Sequence, residues 1–198
     1  MAPSSRPKYR SAIEEASESE LDELFATNFF GPVALIRAVL PGMRARRHGA
    51  IVNVSSMAAR HAAPGSGFYS ATKCALEGMS DGLRKEVGPL GIKVMVVAPG
   101  QFRTNFSGRS LMQSASAIAD YANTAGRRRK EVETSHGNQP GNPARAAQVV
   151  IGMVESEDAP FLLLLGQDAV RVVRATLDEL RTDIDKWEKV SVSTDFET

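Results

Sequence analysis

The chain has 198 residues, 42% of them hydrophobic, 24% charged and 6% aromatic, a length suited to one domain with its own core. Its 24 Lys and Arg against 23 Asp and Glu leave a formal charge of +1, which excludes a nucleic-acid binder held by phosphate neutralisation and a polybasic membrane anchor. Cys74 is the one cysteine and His48, His61 and His136 are scattered, so an intrachain disulfide and a Cys/His-rich metal site are excluded, no metal is expected, and a reducing, cytoplasmic compartment suits the composition.

Residues 1–12, MAPSSRPKYRSA, have no period and read as an irregular arm, without the apolar centre of a signal peptide. A helix is predicted from Ser17, with Glu20 three residues on as a capping box. Leu21, Leu24, Phe25, Pro32, Leu35, Ile36 and Val39 then recur at helical spacing, and Asn28 falls on the same stripe. Spacing alone leaves two readings of Asn28 open, a satisfied buried amide or an amide held indoors for function. A turn is expected at Pro41-Gly42.

AIVNVSS, 50–56, is short, β-branched and apolar on both faces, as buried parallel strands are. A helix follows over 66–87, a second strand over 92–100 and a third over 161–166, the last flanked by helices 143–155 and 168–189. The run FLLLLG is far too short to span a bilayer. Strands alternating with helices predict an α/β fold with a parallel sheet. The long segment 101–141 suits a binding lid, a helical excursion or a disordered stretch, with a helix-compatible middle and a turn-rich end. Its RRRK run, 127–130, followed by Glu131 and Glu133, reads as a solvated loop rather than a phosphate-binding patch.

The chemistry-bearing stretch is SSMAARHAAPGSGFYSATKCAL, 55–76. Tyr69 and Lys73 are four apart and share one helix face. Helical projection runs the apolar centre through Phe68, Thr72, Ala75, Met79 and Leu83 and leaves the pair at its margin. An adjacent ammonium favours the phenolate, which moves a phenol of ordinary pKa about 10 towards useful proton transfer. Cys74 reads as a small buried packing residue. The bare Tyr-x-x-x-Lys pair is common, but its neighbours narrow its meaning. Ser56 closes one strand and Thr104 follows the APG end of the next, so both reach the carboxyl edge where open α/β sheets hold ligands. Ser56 with His61 would suit a serine hydrolase, yet no G-x-S-x-G elbow is present.

With Asn28 added, the set resembles the active site of the short-chain dehydrogenase/reductase family. The matching pieces are FATNFFGPVALIRAVLPGM, GAIVNVSS, GFYSATKCAL and VVAPGQFRT, with Ser56 thirteen residues before Tyr69 and Lys73 four after it. The likeness runs from about Ser11 to Phe196, and the tail resembles hydroxysteroid-dehydrogenase-like members. It implies a doubly wound, Rossmann-type parallel sheet and an NAD(P)-dependent oxidoreductase for a hydrophobic secondary alcohol or ketone. Tyr69 would then exchange a proton with the substrate oxygen. Lys73 would lower the tyrosine pKa and hold the nicotinamide ribose. Ser56, rather than Ser55, would hydrogen-bond the substrate oxygen, and Asn28 would steady a water chain to Lys73. Pro99, Gly100, the Phe102 backbone and Thr104 would hold the carboxamide of NAD or NADP, alongside Tyr69 and Lys73. Met57, Ala58, Phe68 and residues 101–141 would form the substrate pocket. Helices 18–40 and 66–87 would pair two copies.

Members of that family open with a strand, a glycine-rich turn and a helix that cradle the cofactor pyrophosphate. No G-x-G-x-x-G occurs here; the nearest glycine pair, GSGFYS, lies within the catalytic segment. The chain therefore reads as the carboxyl-terminal part of a Rossmann-type domain over 13–198. An exposed edge on the 50–56 strand and weak dinucleotide affinity are expected, with an inactive remnant as the alternative to a working enzyme.

Overall fold

A computed structural model describes residues 8–104, 111–134 and 137–196. The expected irregular arm is ordered from its eighth residue: Lys8–Arg10 form strand β1, and Tyr9 through Ala12 are buried. Three residues carry too little period to announce a strand, and it forms through a partner far along the chain. The Tyr9 hydroxyl reaches Glu20 Oε2 at 3.0 Å, which fastens β1 to the next element.

That element, α1 (Glu18–Phe25), opens on the expected box: Glu20 N–H donates to Ser17 Oγ (3.3 Å) and Ser17 N–H to Glu20 Oε2 (2.9 Å). A π-turn over Ala26–Phe30 follows, in which Gly31 N–H bonds Ala26 O, and α2 (Gly31–Arg46) continues the path. Pro41-Gly42 is therefore not a turn. Pro41 lies on an exposed face, where the carbonyl that loses its partner can meet water, so the helix tolerates it. The helix stops at Arg47, in the left-handed region (φ 54°), with His48 N–H returning to Met43 O. Leu24, Asn28 and Ile36 face inward, but Leu35 and Val39 of the predicted stripe are exposed. By length and composition Glu18–Arg46 is also apolar enough to cross a membrane, with little of that stretch buried.

The sheet has the order β2-β3-β5, all parallel: β2 (Gly49–Val54), β3 (Ile92–Pro99) and β5 (Leu162–Leu165). The central β3 is almost wholly buried, as its continuous apolar run requires. On one face α2 and α3 (Gly67–Val87) cover it, through Ile36, Leu83 and Val87 against Ile51, Ile92 and Val94. On the other, Met95, Val97 and Leu165 pack under α5 (Pro143–Glu155), whose N-cap Asn142 accepts from Ala144 and Arg145 N–H. Helices on both faces make this a doubly wound arrangement. Beyond β3, β2 has no partner among the described residues, and Val54 is 59% exposed.

Within 101–141, β4 (Leu111–Gln113) pairs in parallel with β1, and the helix-compatible middle winds into helical turns only over Ala119–Tyr121 and Ala122–Gly126. The RRRK run is no solvated loop. It opens α4 (Arg127–Thr134), and Arg129 forms a bidentate, buried ion pair with Glu15 (2.8 and 3.0 Å). The last helix, α6 (Gln167–Val192), runs past its predicted end and leaves Leu177, Leu180, Ile184 and Trp187 exposed. Cys74, expected to pack indoors, is exposed, its thiol against Ala59 O at 2.9 Å.

Burial pushes the Glu15 carboxyl up, but Arg129 and the N–H groups of Ile118 and Ala12 outweigh it and hold Glu15 below the usual range. Arg129→Met leaves that carboxylate buried without its cation and should cost about 3 kcal/mol in urea unfolding. A loss under about 1 kcal/mol would show that the pair stabilises nothing.

Candidate active site

Each candidate residue is placed by a different element. Strand β2 ends beside Ser55 and Ser56, and the two hydroxyls part company. Ser55 Oγ donates to the buried Glu77 carboxylate (2.6 Å), which also pairs with Arg60. Ser56 caps a short turn over Met57–Ala59, accepting from Ala58 N–H (3.1 Å), and lines a cavity of about 540 Å³. Tyr69, on the first turns of α3, lines the same cavity. It is 4% exposed rather than marginal, because the inward face of α3 runs through Tyr69, Thr72, Leu76 and Ser80.

Lys73 lies one turn on, its Nζ 5.9 Å from the Tyr69 ring centre and 2.9 Å from Val54 O. It faces a second, open groove between α2 and the free side of β2, which Asn28 also lines. The π-turn swings Asn28 inward, where its amide donates to Thr72 Oγ1 (3.2 Å) and Thr72 in turn donates to Tyr69 O (2.7 Å). Asn28 thus braces the helix that carries Tyr69 and Lys73.

At the end of β3, Gly100 and Phe102 reach the Ser56–Tyr69 cavity, whereas Pro99, Thr104 and Phe68 do not line it. Asp168 fixes this bend: its Oδ2 accepts from Gln101 N–H (2.7 Å), and a Cβ on Gly100 would strike its carboxylate. His61 turns its ring to the Thr176 hydroxyl (3.2 Å) and makes no recorded bond to Ser56, so nothing here assembles a hydrolase dyad.

Sequence reasoning missed Arg10 and Ser66 on the wall of the Tyr69 cavity, and read Arg127 and Arg128, which also line it, as part of a solvated loop; Gln139 lines it from within the expected substrate segment 101–141. Arg10 Cζ lies 5.9 Å from the Tyr69 ring centre. Burial pushes the Tyr69 phenol above its ordinary value, against a hydrogen bond from Ser56 and the Arg10 charge, which both favour phenolate.

A family model for short chain dehydrogenases matches residues 8–114, just over half of the chain. The chain belongs to the short-chain dehydrogenase family. Oxidoreductase BOA17 of Botryotinia fuckeliana is 32% identical over 182 residues, 92% of this chain and 66% of that protein. A short-chain dehydrogenase from Streptomyces avermitilis superimposes with a TM-score of 0.87 at 43% identity, over 95% of this chain and 68% of that one. A Burkholderia cenocepacia short chain dehydrogenase, solved in complex with NADP, shares the fold at 22% identity and a TM-score of 0.64. The chain spans about two thirds of the length of these relatives.

The residues of this family member fit one end of a nicotinamide dinucleotide. Lys73 offers its ammonium to the open groove, and Tyr69, Gly100 and Phe102 line the neighbouring cavity with Ser56. No G-x-G-x-x-G is present to receive the pyrophosphate.

Burial pulls Lys73 down to about 8 from an ordinary 10.5. Below pH 8 the folded protein carries the full cost of a charge held indoors. Between pH 8 and 10.5 the unfolded chain keeps a proton that the folded chain has released, so stability rises with pH in that window. Urea unfolding across the window should show the wild type gaining on Lys73→Met as pH rises; a constant difference would contradict it.

Proposed function

We propose that this chain is the catalytic part of an NAD(P)-dependent oxidoreductase that interconverts a secondary alcohol and a ketone. The observation that carries the reading is the convergence of Ser56 and Tyr69 on one cavity, with Lys73 reaching the same tyrosine from the neighbouring groove. The nicotinamide, when bound, supplies or accepts the hydride. The chain's own residues manage the proton. With its pKa raised, Tyr69 is protonated at neutral pH, so the free site is set to donate to a carbonyl oxygen, the reductive direction. Ser56 hydrogen-bonds that oxygen, and the Lys73 and Arg10 charges offset the phenolate left behind. Asn28 holds the helix through Thr72 and, with Lys73, faces the groove where a water chain would run.

Met57, Ala58, Phe102 and Val172 support an apolar flank for the substrate. Phe30, Leu35 and Val39, exposed on and beside α2, support pairing of two copies through that helix and α3. The NADP in the Burkholderia cenocepacia structure supports the cofactor class, and the lone thiol a reducing, cytoplasmic setting.

The test is ketone-dependent loss of reduced-nicotinamide absorbance with NADH and NADPH. Tyr69→Phe should lower turnover by about 10²-fold or more, and an undiminished Tyr69→Phe rate would remove the mechanism. The same assay decides the alternative of an inactive remnant, which no turnover with either dinucleotide would select.

A further inference from the structure

The cavity wall beside Tyr69 holds more positive charge and more unused hydrogen-bond donors than the proton chemistry needs. Arg10, Arg127 and Arg128 line it against one carboxylate, Glu131, which pairs with Arg128 at 3.1 Å and with Arg127 at 3.6 Å. Arg10 is 7% exposed and has no carboxylate partner among the described residues. Its Nη1 reaches Ser66 Oγ and Tyr9 O, while its Nε is buried without an acceptor. Arg128 Nε and Gln139 Nε2 are buried and unpartnered in the same way, and Gln139 is 3% exposed with its Oε1 taken by Gly137 N–H.

Buried donors without acceptors are costly, and so are guanidinium groups held close together. Arg10 shows both strains, drawn down to about 10 by burial and by Arg128. Three orphaned donors around one cavity describe a site that lacks its acceptor. A carboxylate offers two oxygens with about four lone-pair positions and matches a guanidinium's planar fork.

We propose that the substrate carries a carboxylate, bound by Arg10, Arg128 and Gln139, within a few bonds of the carbonyl or carbinol that faces Ser56 and Tyr69. The short separation follows from Arg10 Cζ standing 5.9 Å from the Tyr69 ring centre. This deepens the oxidoreductase reading, on which it rests only for the carbonyl end.

The test is calorimetric titration of the full chain, without cofactor, with 4-oxopentanoate, with 2-pentanone and with inorganic phosphate. The acid should bind at least about tenfold more tightly than the neutral ketone, one charge-assisted pair being worth that ratio or more. Arg10→Met should abolish the preference and Arg10→Lys restore part of it. Should Arg10→Met fail to fold by circular dichroism, Arg128→Met, at a more exposed position, should still reduce the preference. Equal binding of acid and ketone, or a full preference kept in Arg128→Met, overturns the proposal. Phosphate binding as tight as that of the acid overturns the carboxylate assignment. No turnover enters the measurement. An acid preference in a chain that never reduces a ketone sinks the oxidoreductase reading alone, and turnover without that preference sinks the carboxylate site alone.

Discussion

The outer side of the Ser56–Tyr69 cavity hangs on the buried carboxylate of Glu15. It accepts from Ala12 N–H (2.7 Å), Ile118 N–H (3.0 Å) and both ends of the Arg129 guanidinium, while its own carbonyl receives the Ser114 hydroxyl. Residues from three separate stretches of chain are thereby tied to one charge. A buried ion is tolerated only when its lone pairs are fully answered, and those of Glu15 are. The stretches it joins supply Arg10 on one side and Arg127 and Arg128 on the other, so a structural ion pair decides where the cationic wall stands.

Around Tyr69 two effects oppose each other. Cations approach its ring from two different cavities, Lys73 from the groove beside β2 and Arg10 from the cavity that also contains Ser56. Arg10 and the Ser56 hydrogen bond favour the phenolate, yet burial wins and the phenol stays protonated. Partial burial likewise weakens Lys73 as a cation, drawing it down to about 8.

Where function was written locally, the sequence could be read. The Ser17 box, the apolar run of β3, and the spacing of Ser56, Tyr69 and Lys73 depend on neighbours within a turn or a strand. Asn28 was visible as a polar residue on an apolar stripe, although the π-turn that rotates it inward was not. Arg10 was invisible, because it is buried within a three-residue strand that leaves no periodic trace. Gln139 was hidden for a similar reason, in a turn-rich stretch with no pattern to mark an inward side chain. Pro41 and Cys74 misled in the opposite sense, since a breaker and a small thiol, each on an exposed helix face, obey their surroundings rather than their averages. The family match over residues 8–114 reaches back to β1, and so includes the strand that composition alone could not reveal.

The pairing of β1 with β4 joins Lys8 to Leu111 and Arg10 to Gln113, segments about a hundred residues apart. Loop closure over that distance is entropically slow to recover, and two three-residue strands return little for it. The parallel sheet and its covering helices therefore consolidate ahead of this clasp, and the clasp opens more readily than they do in native-state fluctuations. Ser56, Tyr69 and Lys73 belong to the early, durable body of the fold, whereas Arg10 arrives with the late one. Ser56 and Tyr69 thus share a cavity with the cationic wall without sharing its stability, so amide exchange would record them as separate units of one candidate site.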